Sequence, residues 1–181
     1  MGLRPDVRRP LDEPERDLLA QLVRDMGPRL LAYVQKVYRG TVDPEDVVAE
    51  TFCRAARNIT ALRASSRQDL YLITTARNLC RDGYRRPRHA DLDDGYGAAA
   101  AVADSADPGE SASDRERVRR LRAAVADLPE SLREIVVLRM SADLKFEEIS
   151  RLLKIPLGTA LSRMHTALER VRCQLGPDDA C

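Results

Sequence analysis

Residues 146–175 read FEEISRLLKIPLGTALSRMHTALERVRCQL. The pattern predicts a short helix over Phe146–Leu153, a turn at Lys154-Ile155-Pro156, and a longer helix running to about Leu175. A short helix, a tight turn and a longer helix that keeps arginines on its surface make the helix-turn-helix layout. Ala160, Met164, Ala167, Leu168 and Val171 are the expected core side of the longer helix.

Two further helices precede this pair. Asp114–Asp127 is amphipathic through Val118, Leu121, Ala124 and Val125. Pro129 opens the next, with Leu132, Ile135, Val136 and Met140 on one face. Upstream lies DLDDGYGAAAAVADSADPGESASD, residues 91–114, with seven acids and no Lys or Arg. Its Ala, Asp, Ser and Gly provide little for a core, so it reads as a flexible acidic linker between two domains.

The N-terminal half also reads as helical. Glu15–Met26 carries Leu18, Leu19, Leu22 and Val23, and a separate helix follows Gly27-Pro28 with Leu30, Leu31, Val34 and Val37. A third opens at Asp43-Pro44-Glu45-Asp46, with Asp43 as N-cap and Pro44 at the first helical position. Val47, Val48, Thr51, Phe52 and Ala55 line its buried side. A polar loop, NITALRASS, occupies residues 58–66, and a fourth helix spans about Arg67–Arg86.

Composition agrees with an all-α fold of two small domains. The chain has 181 residues, 44% of them apolar, with aromatics at 4% and no Trp. No apolar run approaches the roughly 18 residues of a membrane span, and the N-terminus lacks the apolar stretch of a secretory signal. No membrane insertion and a cytoplasmic location are expected. Cys53, Cys80, Cys173 and Cys181 are too widely spaced for a disulfide framework or a zinc site. There is no catalytic Cys/His/Asp set and no glycine-rich phosphate loop, so no enzyme and no cofactor are expected. The net charge of +1 conceals a pattern: residues 1–90 hold 17 Lys/Arg against 12 Asp/Glu, and residues 115–175 hold 13 against eight. Two basic blocks flank the acidic linker, which suggests two surfaces for a polyanion.

Two segments together resemble the bacterial sigma factors of the extracytoplasmic-function (group IV) sigma-70 family. DPEDVVAETFCRAAR, residues 43–57, is similar to that family's core-polymerase-binding helix in region 2. YLITTARNLCRDGYRR, residues 71–86, is similar to its promoter −10 helix, W-L-x-x-I-A-R-N-x-x-x-D-x-x-R-R. ADLPESLREIVVLRMSADLKFEEISRLLKIPLGTALSRMHTALERVR, residues 126–172, resembles region 4 with its L-P, R-E, E-E-I and G-T…S-R marks. The resemblance divides the chain into an N-terminal extension (1–14), region 2 (15–90), linker (91–114), region 4 (115–176) and tail (177–181).

The resemblance implies roles residue by residue. Asp46, Ala49 and Glu50 fall on the polymerase-binding helix, which docks on the β′ coiled coil; Ala49 stands where Gln is usual. Asn58, Thr60, Tyr71, Arg77, Asn78, Arg81, Arg85 and Arg86 fall on the −10 surface, with Tyr71 in place of Trp. Arg88 extends this basic cluster, which suits a phosphate backbone. Gly158, Thr159, Ser162, Arg163 and Thr166 fall on the −35 helix, where Leu161 and Thr166 replace common basic residues. Arg139, Arg151 and Lys154 are further phosphate-contact candidates. The implied partners are core RNA polymerase through the β′ coiled coil and the β flap, promoter DNA, and an anti-sigma factor of the kind that often holds such proteins. The implied function is a transcription initiation factor that recognises −10 and −35 elements and stabilises the melted −10 strand. The competing reading is an ordinary helix-turn-helix regulator that binds duplex DNA without polymerase.

Overall fold

The computed structural model describes residues 9–85 and 112–176. The chain divides into two compact units, each all-helical among its described residues. The first contains α1 (Glu13–Val37), α2 (Pro44–Arg57), α3 (Ile59–Ala64) and α4 (Gln68–Arg85). The second contains α5 (Ala112–Ala126), α6 (Glu130–Met140), α7 (Phe146–Leu153) and α8 (Leu157–Leu175). The acidic linker falls almost wholly outside the described residues. So do Arg86, Arg88, Cys181 and the tail from residue 177.

The first two helices expected from the sequence are one. Gly27 and Pro28 lie inside α1. A proline there removes one helical hydrogen bond and crowds the preceding turn, at about 3 kcal/mol. Leu22, Met26, Leu30, Tyr33, Val34 and Val37 run through the interruption at three- and four-residue spacing, and all are buried. Burying six such side chains outweighs one lost bond. Gly27 eases the passage, because its missing Cβ cannot meet the proline ring. The helix also starts earlier than expected. Asp12 caps it by accepting from the Glu15 N–H at 2.9 Å, while the Asp12 N–H donates to Glu15 Oε2 at 3.1 Å.

α2 starts as its sequence requires, with Asp43 Oδ1 accepting from the Glu45 and Asp46 N–H groups. Val47, Thr51 and Ala55 are buried, and Val48 and Phe52 are half-buried. α2 packs on α1 and α4, and α4 contributes Leu72, Ile73, Ala76 and Cys80 to the same core. The expected loop at 58–66 holds a helical segment instead. Ile59 and Leu62, three apart, are buried, and that pair is enough to fold α3 onto the unit.

In the second unit all four expected helices are present. α5, α6 and α8 share a core of Ala124, Leu128, Leu132, Val136, Ala167 and Val171. Arg133 ties the α5–α6 turn by donating to the carbonyls of Ala126 and Leu128 at 2.8 and 3.0 Å. Between α7 and α8, Lys154 takes the left-handed conformation, φ 56° and ψ 46°. The Ile155 N–H reaches back to Ser150 O at 3.0 Å, and Lys154 N–H to Arg151 O at 3.3 Å. This closes α7 and reverses the chain into Pro156, which caps α8.

Four side chains expected in apolar stripes face outward: Val23, Leu121, Met140 and Leu168. Val23 and Leu168 directly follow the buried Leu22 and Ala167. One residue along a helix is a rotation of about 100°, enough to leave a narrow core.

Candidate nucleic-acid interface

The second unit builds its surface from α7, the turn and α8. The buried stripe Ala160, Ala167 and Val171 fixes the rotation of α8 about its axis. Leu157, Gly158, Leu161, Ser162, His165 and Thr166 are therefore exposed, and Thr159 and Arg163 are half-buried. No side chain caps the first turn of α8. Its leading N–H groups are the kind that donate to an anion. Gly158 has no atom within 4 Å of where a Cβ would stand, so this turn is open to close approach. From Leu157 to Leu168 the helix carries no carboxylate; the first is Glu169. Arg151 and Lys154 are exposed at the end of α7, beside the turn.

Arg139 is placed differently. Its Nη1 lies 3.1 Å from Asp143 Oδ1, and its guanidinium stands 5.9 Å from the Phe146 ring centroid. These contacts brace the α6–α7 connection. Thr166 donates to Ser162 O at 3.0 Å, so its hydroxyl proton is used within the helix while the oxygen keeps accepting capacity.

In the first unit, Asp46 and Ala49 are exposed and Glu50 is half-buried, all on one side of α2. Glu50 is not a bare charge. Arg54 Nε donates to its Oε1 at 2.9 Å, and Arg57 Nη1 lies 3.6 Å away. The Arg54 hydrogen bond, helped by the charge of Arg57, holds the Glu50 carboxyl below its ordinary value of 4.5. Asp46 is thus the more accessible acid of the pair. Cys53, seven residues beyond Asp46, is an exposed free thiol on the same side. It was not among the expected contacts, although its spacing from Ala49 and Glu50 points to this face. Leu157, four before Leu161 on α8, was missed in the same way.

The −10 candidates separate into two groups. Asn78 and Arg81 are exposed on α4, and Thr60 is exposed on α3. Arg77 is only 8% exposed and does not join an outward basic stripe. It stands four residues after buried Ile73 and three before buried Cys80, on the core side of α4. Tyr71 is half-buried. Asn58 Nδ2 donates to Arg54 O at 3.0 Å, closing the end of α2, so one side of its amide is committed to structure. Arg85 ends α4, and its side chain lies outside the described set, as does Arg86.

Glu15 and Arg63 are a pair that sequence reasoning did not single out. The Glu15 side chain is 2% exposed and is hydrogen-bonded by Arg9, with Arg63 Nη1 3.8 Å from Oε1. α3, which carries Thr60, is tied to α1 through this carboxylate. Among the described residues, no group of three His, Cys, Asp or Glu could hold a metal ion, and no helix is long and apolar enough to cross a membrane.

Comparison with known proteins places both units. Residues 22–90 match the family model for Sigma-70 region 2, and residues 118–171 match that for Sigma-70, region 4. The chain is 32% identical over 163 residues to the RNA polymerase sigma factor CarQ of Myxococcus xanthus, covering 88% of this chain and 90% of that one. It is 29% identical over 178 residues to the ECF RNA polymerase sigma factor EcfG of Rhodopseudomonas palustris, covering 94% of each. Its fold is similar to that of the sigma factor RpoE from Bartonella quintana, solved with the anti-sigma factor NepR. That match has a TM-score of 0.68 at 20% identity, over 90% of this chain and 99% of that one.

Proposed function

The chain belongs to the extracytoplasmic-function (group IV) sigma-70 family, and from that premise we propose that it binds core RNA polymerase through α2, directs it to promoters through α8 and α4, and stabilises the melted −10 strand. Members of the family are non-enzymatic transcription factors, and the polymerase carries out the chemistry. The observation that carries this reading is the acidic side of α2, in a separate unit from a helix-turn-helix whose second helix, α8, carries no carboxylate before Glu169. An ordinary helix-turn-helix regulator has no use for the region 2 unit.

Each surface contributes a different kind of energy. Asp46, Ala49, Glu50 and Cys53 form a compact patch for a protein partner, which the family reading identifies as the β′ coiled coil. Gly158, Thr159, Ser162 and Arg163 meet the −35 element, with Arg151 and Lys154 on phosphates. Asn78 and Arg81 meet the −10 duplex, joined by Arg85 and Arg86. Thr60 and Asn58 on the 58–66 segment, with Tyr71, receive the opened strand. Strand opening costs several kcal/mol, and capture of the unpaired bases offsets that cost. An anti-sigma factor is the further partner, as for the Bartonella quintana relative in its complex.

The test is co-elution of the full-length chain with bacterial core RNA polymerase on a sizing column. The wild type co-elutes, and the Asp46→Arg/Glu50→Arg variant does not. Tight duplex binding by the chain alone, without co-elution, would defeat the proposal.

A further inference from the structure

We infer that Leu161, with Leu157 one turn before it, reads thymine methyl groups in the major groove of the upstream promoter element. The inference rests on the reading of α8 as the helix that enters the groove. Leu157 and Leu161 are 39% and 46% exposed. Their exposure follows from the core, because the stripe through Ala160, Ala167 and Val171 turns them outward. Four residues apart, they form one apolar ridge along the first two turns.

Charge identifies what the ridge meets. The ridge borders Gly158 and Ser162, Arg163 lies across the helix from it, Arg151 and Lys154 are exposed before the start of α8, and α8 has no carboxylate before Glu169. Cations thus stand before the start of the ridge and on the opposite flank of α8, and the uncapped N–H groups of the first turn lie at its start. That arrangement suits a polyanion whose phosphates run along both sides. Between those phosphates the major groove offers one apolar feature, the C5-methyl of thymine. A lysine at 161 would donate to guanine O6 and N7. Leucine has no donor, so it selects an A·T pair with its methyl toward the helix. The open space at Gly158 lets the backbone approach closely enough for a side chain as short as leucine to reach the groove floor.

The test uses the full-length chain assembled on core polymerase, with a duplex pool randomised upstream of a fixed start region. The selected element should contain an A·T pair at which uracil in place of thymine weakens binding about threefold to fivefold, the worth of one buried methyl group. That uracil penalty should disappear in Leu161→Ala, persist in Leu161→Met, and give way to selection of guanine in Leu161→Lys. Tolerance of uracil at every upstream position, or equal penalties in wild type and Leu161→Ala, would overturn the inference. A weaker polymerase complex in Leu161→Ala, with uracil tolerated, would assign the ridge to a protein contact instead. If the assembled complex selects no upstream element at all, promoter recognition by α8 fails and this inference falls with it.

Discussion

Arg63 on α3 reaches to 3.8 Å from the Glu15 carboxylate on α1, and that carboxylate is almost wholly buried. Glu15 serves α1 as the far half of its capping box and α3 as an anchor. Glu15→Ala removes the cap partner and leaves the two arginines without their shared acceptor. It should destabilise the first unit by about 2–4 kcal/mol in urea unfolding. Arg63→Ala loses one half-exposed ion pair and should cost about 1 kcal/mol or less. Its functional effect should be the larger one. Permanganate footprinting should show a less open −10 strand, with co-elution with polymerase retained.

Cys53 provides a direct probe of the α2 face. With Cys173 and Cys181 changed to Ser, the remaining cysteines are the exposed Cys53 and the buried Cys80. Maleimide labelling of Cys53 should slow about tenfold or more when core polymerase is added, because a docked interface excludes reagent. An unchanged rate would move the grip away from α2.

Acid should weaken both units through their lowered carboxylates. In the first, Arg67 Nε and Nη2 donate to Asp69 at 3.0 and 2.8 Å, and this pairing holds the Asp69 carboxyl below its ordinary 3.8. In the second, hydrogen bonds from Arg119 and Arg120 hold Glu116 at about 2. A lowered carboxyl stabilises fully above its unfolded value, and the contribution is lost as pH falls through the folded one. The stability gap between wild type and Asp69→Asn should therefore stay constant from pH 7 to about 5 and close as pH falls below about 4. Urea titrations at fixed pH values across that range check this. The Glu116 contribution should be lost from its ordinary 4.5 down to about 2 and, being at the surface, should shrink with added salt.

Lys154 joins backbone strain to a charge. A non-glycine residue in the left-handed region costs about 1 kcal/mol, so Lys154→Gly should raise the stability of the second unit by about 0.5–1 kcal/mol. The same change removes a cation beside the α8 N-terminus and should weaken upstream-element binding. Thermal melts and DNA titrations should thus move in opposite directions. Parallel movement would mean that Lys154 acts only through the turn.

What could be read from the sequence depended on how many apolar residues marked each element. The helix-turn-helix was legible because Ile149, Leu152 and Leu153, then Ala160, Ala167 and Val171, keep helical spacing on either side of Pro156. α3 was hidden because its apolar hold is only Ile59 and Leu62, set among polar residues, and its ion pair with Glu15 spans elements far apart in sequence. α1 looked like two helices because Gly-Pro is a local stop signal, and local signals carry no information about the core that overrides them. At the candidate site, the faces of α2 and α8 followed from spacing. The ion pairs that clothe Glu50 and Arg139 did not, since they depend on rotamers. The burial of Arg77 was not legible either: the resemblance groups it with Arg81 and Arg85, but it shares the side of α4 that carries buried Ile73 and Cys80 and is only 8% exposed.

The difference in burial between Arg77 and Arg81 predicts a division of labour on α4. Arg81 is exposed and Arg77 is buried. A phosphate contact neutralises charge and releases counterions, so its loss lowers the salt dependence of binding. Arg81→Ala should weaken −10 duplex binding by the polymerase-assembled chain and reduce the slope of log affinity against log salt by about 1, with little change in stability. Arg77→Ala should do the reverse. It removes a packed side chain from beside Ile73 and Cys80 and should destabilise the first unit by about 1–3 kcal/mol. The salt slope, measured below the melting transition, should not change. If Arg77→Ala also flattened the slope, the guanidinium would have to reach a phosphate from its buried position, and the two surfaces of α4 would be one.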